Sequence, residues 1–273
     1  MPGLTGHRKV LTVTAACAVA LAAAACGRLG GPYQRGQRLL EAGDAAAAVD
    51  AFTEAIESGN DVAKAYAWRC YANLAAERND NAVKDCTEAL DRMGAETGAP
   101  EGDSQPYYKW ELLNNRGVAH LNLDLRDEAE ADLGAAIELK PDYAEAYANR
   151  GRFYVDGEDW EKAKEDLTRA IELEPALAEA HGNRGRVYEG LGDGDAALAD
   201  YGKAIELSRD TTAYFNRGML YYAMGNFDAA FEDFTSVVEL EEPDSYLSYM
   251  AQQQVDFLAR RPTGLPGPTA ASP

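Results

Sequence analysis

The tripeptide Asn-Arg-Gly occurs four times, at Asn115-Arg116-Gly117, Asn149-Arg150-Gly151, Asn183-Arg184-Gly185 and Asn216-Arg217-Gly218, with spacings of 34, 34 and 33 residues. A unit of that length is a helix–turn–helix hairpin, too small to bury its own apolar face, so successive units must stack into a solenoid. Counted from Trp110, Ala144, Ala178 and Thr211, position 8 is always glycine (Gly117, Gly151, Gly185, Gly218). Position 20 is always alanine (Ala129, Ala163, Ala197, Ala230), and position 24 is large (Leu133, Leu167, Tyr201, Phe234). Small residues at 8 and 20 let two helices approach closely, and the larger ones fill the space between them. Pro141 and Pro175, at position 32, stop a second helix before the next unit begins.

Phasing the alanines backward adds two looser units. One runs from about Leu29 to Asp61 with Gly36, Ala48 and Phe52, the other from Ala63 to about Glu96 with Cys70 and Cys86 at positions 8 and 24. The pattern resembles the tetratricopeptide repeat (TPR), strongly over Trp110–Pro243 and more loosely from Pro32. The resemblance implies an all-α, right-handed TPR helical solenoid of about six helix–turn–helix repeats. Residues 244–260 then read as a C-terminal capping helix, with Tyr246, Met250 and Phe257 available to cover the last repeat. The expected organisation is repeats 1–2 over 32–96, an inserted loop over 97–109, repeats 3–6 over 110–243, and a proline-rich disordered tail over 261–273. The insert, with Gly98, Pro100, Gly102 and Pro106, is expected to divide a pair of repeats from a block of four.

The first 25 residues differ from the rest. Arg8 and Lys9 precede an uncharged apolar run of 16 residues, Val10 to Ala25, that ends at Ala23-Ala24-Ala25-Cys26. A basic start, a short apolar core and small residues at its end make an export signal, too short to span a bilayer comfortably. It resembles a bacterial lipoprotein signal, in which Cys26 would be lipidated and residues 26–31 would form a tether, although Ala23 stands where leucine is usual. Plain secretory cleavage after Ala25 is the alternative. The lipoprotein reading places the protein on a membrane of the bacterial cell envelope, the periplasmic side of the outer membrane if the cell is Gram-negative. Removing Arg8 and Lys9 from the net charge of −20 leaves about −22, which disfavours nucleic acid and anionic surfaces as partners.

Position 7 is Arg69, Arg116, Arg150, Arg184 and Arg217, and position 23 is Asp85, Asp132, Asp166, Asp200 and Asp233. The arginines could form a charged rail for a partner, but the matched aspartates favour a bridge inside each repeat, bidentate if geometry allows. In the first unit Arg35 would face Ala51, with Asp50 one place off. His120 and His181, at positions 11 and 4, read as packing residues without an acid at ligand spacing. There is no His-Glu-x-x-His, phosphate-cradling glycine loop or Gly-x-Ser-x-Gly elbow, so no enzyme activity, metal, cofactor or small-molecule substrate is expected. Cys70 and Cys86 should face each other across their repeat, as a disulfide in an oxidising compartment or as two buried thiols.

What the family resemblance implies about function is a concave groove lined by first helices, with positions 2, 5, 6, 9 and 12 facing in. Asn115, Asn149, Asn183 and Asn216, at position 6, would then offer solvent-facing amides to an extended peptide backbone. Arg152 and Arg186, at position 9, would take an acidic side chain or a terminal carboxylate, and Phe215, Met219 and Tyr222 would form an apolar pocket. The expected function is a non-enzymatic, membrane-anchored adaptor that binds a protein or peptide. The alternative is a structural or assembly subunit of an envelope complex, engaging through repeat edges and the 97–109 loop.

Overall fold

A computed structural model describes residues 30–59, 61–95 and 108–260. The signal segment, Cys26, most of the 97–109 insert and the tail from residue 261 lie outside the described residues. Among the described residues there are thirteen α-helices, no strand, and no helix long and apolar enough to cross a membrane.

The chain forms two compact units that divide between Pro141 and Asp142. The first holds three hairpins: α1 (Pro32–Glu41) with α2 (Ala45–Glu57), α3 (Val62–Ala75) with α4 (Asn79–Ala95), and α5 (Lys109–Asn122) with α6 (Arg126–Leu139). The second holds α7 (Ala144–Asp156) with α8 (Trp160–Leu173), α9 (Ala178–Gly190) with α10 (Gly194–Ser208), and α11 (Thr211–Ala223) with α12 (Phe227–Leu240). It closes with α13 (Tyr246–Ala259). Within each unit every second helix also packs on the first helix of the next hairpin. The fold is an all-α TPR solenoid. The inserted residues do not separate the second repeat from the third: Arg116 Nη1 donates to Thr87 Oγ1 at 3.1 Å and Asn122 Nδ2 to Asn79 Oδ1 at 3.1 Å.

The spacing of small and large residues explains how the hairpins close. A Cβ on Gly151 would lie 2.6 Å from Leu167 Cγ, and one on Gly185 would lie 2.7 Å from the Tyr201 ring. In the second repeat both members change together: Cys70 and Cys86 are fully buried and joined by a disulfide, with their Cα atoms 5.3 Å apart. The turn between the two helices of each hairpin passes through a left-handed residue: Gly43, Glu77, Asp124, Glu158, Gly192 and Gly225. Asp44, Asp159, Asp193 and Asn226 follow four of these turns and cap the second helix, each accepting from the backbone amide three residues on.

All five position-7 arginines bridge their position-23 aspartates with two hydrogen bonds. The distances are 2.8 and 2.7 Å for Arg69–Asp85, 2.8 and 2.7 Å for Arg116–Asp132, and 2.7 and 2.9 Å for Arg150–Asp166. They are 2.7 and 2.9 Å for Arg184–Asp200, and 2.9 and 2.7 Å for Arg217–Asp233. Each carboxylate is buried, and three have a further polar group beside them. Asn73 Nδ2 donates to Asp85 at 2.8 Å, while His120 Nδ1 and His181 Nδ1 each lie 3.1 Å from Asp132 and Asp200. The two histidines are buried, as packing residues should be, yet they also sit beside acids, because positions 4 and 11 lie about one turn to either side of position 7 on the face that meets position 23. The free η-nitrogen of Arg69, Arg116 and Arg184 turns to a threonine of the preceding repeat (Thr53, Thr87, Thr168), so one residue ties its own hairpin to its neighbour. The first repeat departs from the pattern: Arg35 pairs with Glu54 at 2.7 Å near the surface, since Ala51 offers no acid.

The cap also differs from expectation. Tyr246 and Phe257 are 41% and 57% exposed, and the buried face of α13 is instead Leu247, Ala251, Val255 and Leu258, against Ala230, Phe234 and Val237. Their spacing follows one side of a helix, whereas Tyr246 and Phe257 fall on the other.

Two predictions follow from local chemistry. Glu158 is left-handed with φ of 56°, so Glu158→Gly should stabilise the fold by about 0.5–1 kcal/mol. An unchanged or lower unfolding midpoint would remove the claim of strain. Burial acts to raise the Asp200 carboxyl, but hydrogen bonds from His181 and Arg184, with their charges, outweigh it and hold its pKa below the ordinary 3.8. A depressed acid stabilises the fold above its unfolded pKa and loses that stabilisation as pH falls through its folded one. Asp200→Asn should therefore cost about 1–3 kcal/mol at pH 7 and progressively less below pH 4. Equal losses in denaturant titrations at pH 7 and pH 3 would exclude the assignment.

Candidate peptide-binding face

Asn149, Asn183 and Asn216 stand on the neighbouring first helices α7, α9 and α11, each immediately before the arginine of the bridge. The arginine points to its own second helix, so the asparagine is turned toward the row of first helices. The solvent-facing ladder is not what forms. Asn149 and Asn183 are 4% and 9% exposed, while Asn216 is half-buried; Asn115 is half-buried too, on α5 of the other unit. The first helices of this unit pack on one another, α7 on α9 and α9 on α11, a proximity that counting along one hairpin cannot reveal.

The position-9 arginines are engaged as well. Arg152 Nε lies 3.7 Å and Arg186 Nη2 3.4 Å from the two oxygens of Asp156, at the end of α7. Two guanidinium groups thus share one exposed carboxylate. Glu179, at the start of α9, joins them. Its side chain is only partly buried by area but its carboxyl group is enclosed, and burial pushes its pKa up to about 7, against the charge of Arg152 and with that of Asp210.

Arg186 and Asn216 come together at an open pocket of about 390 Å³, completed by Trp160, Glu189, Gly190 and Tyr201. A Cβ on Gly190 would fall 2.7 Å from the Trp160 indole, so glycine here sets the ring against α9. Tyr201 reaches past Gly185, and its hydroxyl donates to Glu189 Oε2 at 2.8 Å. Burial, then the Glu189 charge, raises the phenol pKa, so it remains a donor that holds the carboxylate. The wall therefore combines an indole, a cation, an anion and an amide. Sequence reasoning missed Trp160, Glu189 and Tyr201 because they come from three helices. The available signal was Gly190, a glycine inside a first helix.

Of the expected apolar set, Phe215 packs edge-on against Phe234 (5.5 Å between centroids) and belongs to the core. Tyr222 meets Phe227 at 5.4 Å and Phe257 at 6.3 Å. Met219 is 39% exposed and is the member that presents apolar surface. Among the described residues no group of His, Cys, Asp and Glu could hold a metal ion.

Stacked antiparallel helix pairs make this an α-solenoid, a class that binds other chains along its helices. The chain belongs to the tetratricopeptide repeat family, whose models match residues 33–96, 111–143, 150–210 and 211–244. TPR proteins are protein-interaction adaptors. No curated protein matches the sequence. Among solved structures, the chain is similar to one in the APC/C hetero-tetramer Cut9-Hcn1, with TM-score 0.69, 15% identity, and 83% of this chain and 42% of that one covered. This chain thus spans less than half the length of that relative. It is also similar to PilW, a widely conserved type IV pilus biogenesis factor, with TM-score 0.63, 19% identity, and 81% and 96% of the two chains covered. A tetratricopeptide repeat protein from Parabacteroides merdae ATCC 43184 gives TM-score 0.61, 19% identity, and 84% and 85% covered. These likenesses concern the fold.

The enclosed Glu179 carries a prediction. An acid whose pKa is raised on folding weakens the fold as pH climbs from its ordinary 4.5 toward 7. Glu179→Gln should therefore stabilise the protein more at pH 8 than at pH 5. A gain that is the same at both pH values would show that Glu179 is solvated.

Proposed function

We propose that the protein is a non-enzymatic adaptor, anchored to an envelope membrane through lipidated Cys26, that holds a protein or extended peptide on the first-helix face of residues 142–260. The reading rests on one observation: Arg186 and Asn216 meet at an open pocket walled by Trp160 and Glu189. The amide can both donate to and accept from a peptide backbone, and the guanidinium can exchange Asp156 for a carboxylate of the ligand. The indole supplies apolar surface for a side chain beside that polar anchor, and Met219, one turn along α11 from Asn216, is exposed. Asn149 and Asn183 are buried and stand outside this binding surface, and no cofactor takes part.

The test is photocrosslinking in intact cells from Asn216 and from the 97–109 loop, with Cys26→Ala as the anchoring control. Crosslinks from Asn216 to one recurrent partner are expected. Arg186→Ala with Asn216→Ala should weaken binding of that partner roughly thirty-fold or more, from an amide and a charge-assisted hydrogen bond, with little change in stability. Cys26→Ala should move the protein out of the membrane fraction. Crosslinks arising only from the 97–109 loop would overturn the groove reading in favour of an assembly subunit held by its edges. Unchanged membrane fractionation of Cys26→Ala would overturn the anchor.

A further inference from the structure

Two groups in the wall of the α9 pocket, an indole and a carboxylate, have no cation paired with them among the described residues. Other half-buried rings of this protein do: Lys140 Nζ lies 4.3 Å from the centroid of Trp110, Lys162 Nζ 5.0 Å from Tyr154 and Lys164 Nζ 5.2 Å from Tyr188. Trp160 is the better partner for a cation than either tyrosine, yet none of the protein's own stands over it. Glu189 repeats the pattern. It sits three residues after Arg186 on α9, a spacing at which opposite charges pair on a helix, but here they do not. Arg186 Nη2 turns to Asp156 at 3.4 Å, and Glu189 instead accepts from the Tyr201 hydroxyl at 2.8 Å. The phenol holds the carboxylate in place without cancelling its charge. Because Tyr201 is fully buried, that hydrogen bond is anchored in the core, and the anion is fixed before any ligand arrives. Asn216, half-buried on α11, completes the wall with an amide that has no hydrogen-bond partner among the described residues.

We infer that the pocket selects a basic side chain, lysine or arginine, of the bound peptide, its stem along the Trp160 indole and its charged head on Glu189. The inference rests on the reading of this pocket as a peptide site and adds the class of residue that the site prefers. A cation there satisfies the indole and the carboxylate at once, which no neutral or acidic side chain can do. The apolar stem of lysine or arginine suits the indole as well, since both residues bury their methylenes while the head stays polar. Arg186 does not forbid the cation, because its own charge is opposed by Asp156. It and Asn216 are left to hold an acceptor beside the basic residue in the same peptide. An acidic side chain against the indole would instead face Glu189, in a protein whose net charge of −20 already disfavours anionic ligands. The same long-range field draws a basic peptide toward this surface.

The test selects from a phage-displayed library of random linear peptides on the purified full chain, with the Arg186→Ala, Asn216→Ala variant as counter-selection. Peptides sharing a lysine or arginine at one position should be enriched. In a synthetic copy of one such peptide, norleucine in place of the lysine, or citrulline in place of the arginine, removes the charge at similar length. That change should weaken binding roughly ten-fold and flatten its salt dependence. Glu189→Gln retains an acceptor for the Tyr201 hydroxyl, so helical circular dichroism should be unchanged. It should weaken the charged peptide by a similar factor and leave the neutral one as it was, a coupling that a merely structural role would not produce. Equal effects of Glu189→Gln on the two peptides would overturn the inference. Enriched peptides that share no basic residue, yet fail to bind the Arg186→Ala, Asn216→Ala variant, would also overturn it and leave the peptide site standing. No enrichment over that variant would overturn both.

Discussion

A bidentate arginine–aspartate bridge joins the two helices of every hairpin from the second repeat to the sixth, and most other features are arranged around it. The aspartate is buried, and removing its water would be costly without the two directed donors that replace it. Because the guanidinium is planar and forked, forming both bonds fixes the helices in rotation as well as in distance. The leftover η-nitrogen then reaches a threonine of the preceding repeat where that position is not glycine. At Gly202 the side chain is absent, and Arg217 Nη1 lies 3.6 Å from where its Cβ would be. The same residue thus defines the hairpin and, in three places, its neighbour's placement.

Packing volume is the second constraint, and it explains why the repeats tolerate different cores. Position 8 and position 24 trade against each other: glycine with leucine, tyrosine or phenylalanine, and cysteine with cysteine. In each case the side chain on one helix fills the space that its counterpart leaves. Tyr201 extends the exchange into function. Glycine at 185 admits a ring large enough for its hydroxyl to emerge at Glu189, so one core residue also fixes a group in the pocket wall.

The two electrostatic settings in residues 142–260 are opposites. Asp166, Asp200 and Asp233 are buried with directed donors, and they bind the structure together. Glu179 is enclosed without a hydrogen-bonding arginine, and Arg152 and Arg186 divide their attention over a single exposed Asp156. Charges left incompletely matched on the first-helix face are available to a ligand in a way that the bridges are not. The distinction separates arginines of one residue type, in one helix, into structural and binding roles two positions apart.

Periodicity alone determined the hairpins, their phase and the bridge, because each depends on residues within one repeat. Position 7 faces position 23, and position 8 faces position 24, whatever surrounds the hairpin, and a strict period repeats that local geometry legibly. The histidine–aspartate pairs are equally local, but only one repeat carries each, so no period marks them. What required the tertiary structure were the consequences of stacking. Asn149 and Asn183 are buried, Asp156 reaches an arginine of the next repeat, and Trp160 lies against Gly190. The cap was decided there too: both faces of α13 are apolar, so its composition cannot say which one turns inward. The surface of Ala230, Phe234 and Val237 selects Leu247, Ala251 and Leu258, and leaves Tyr246 and Phe257 outside.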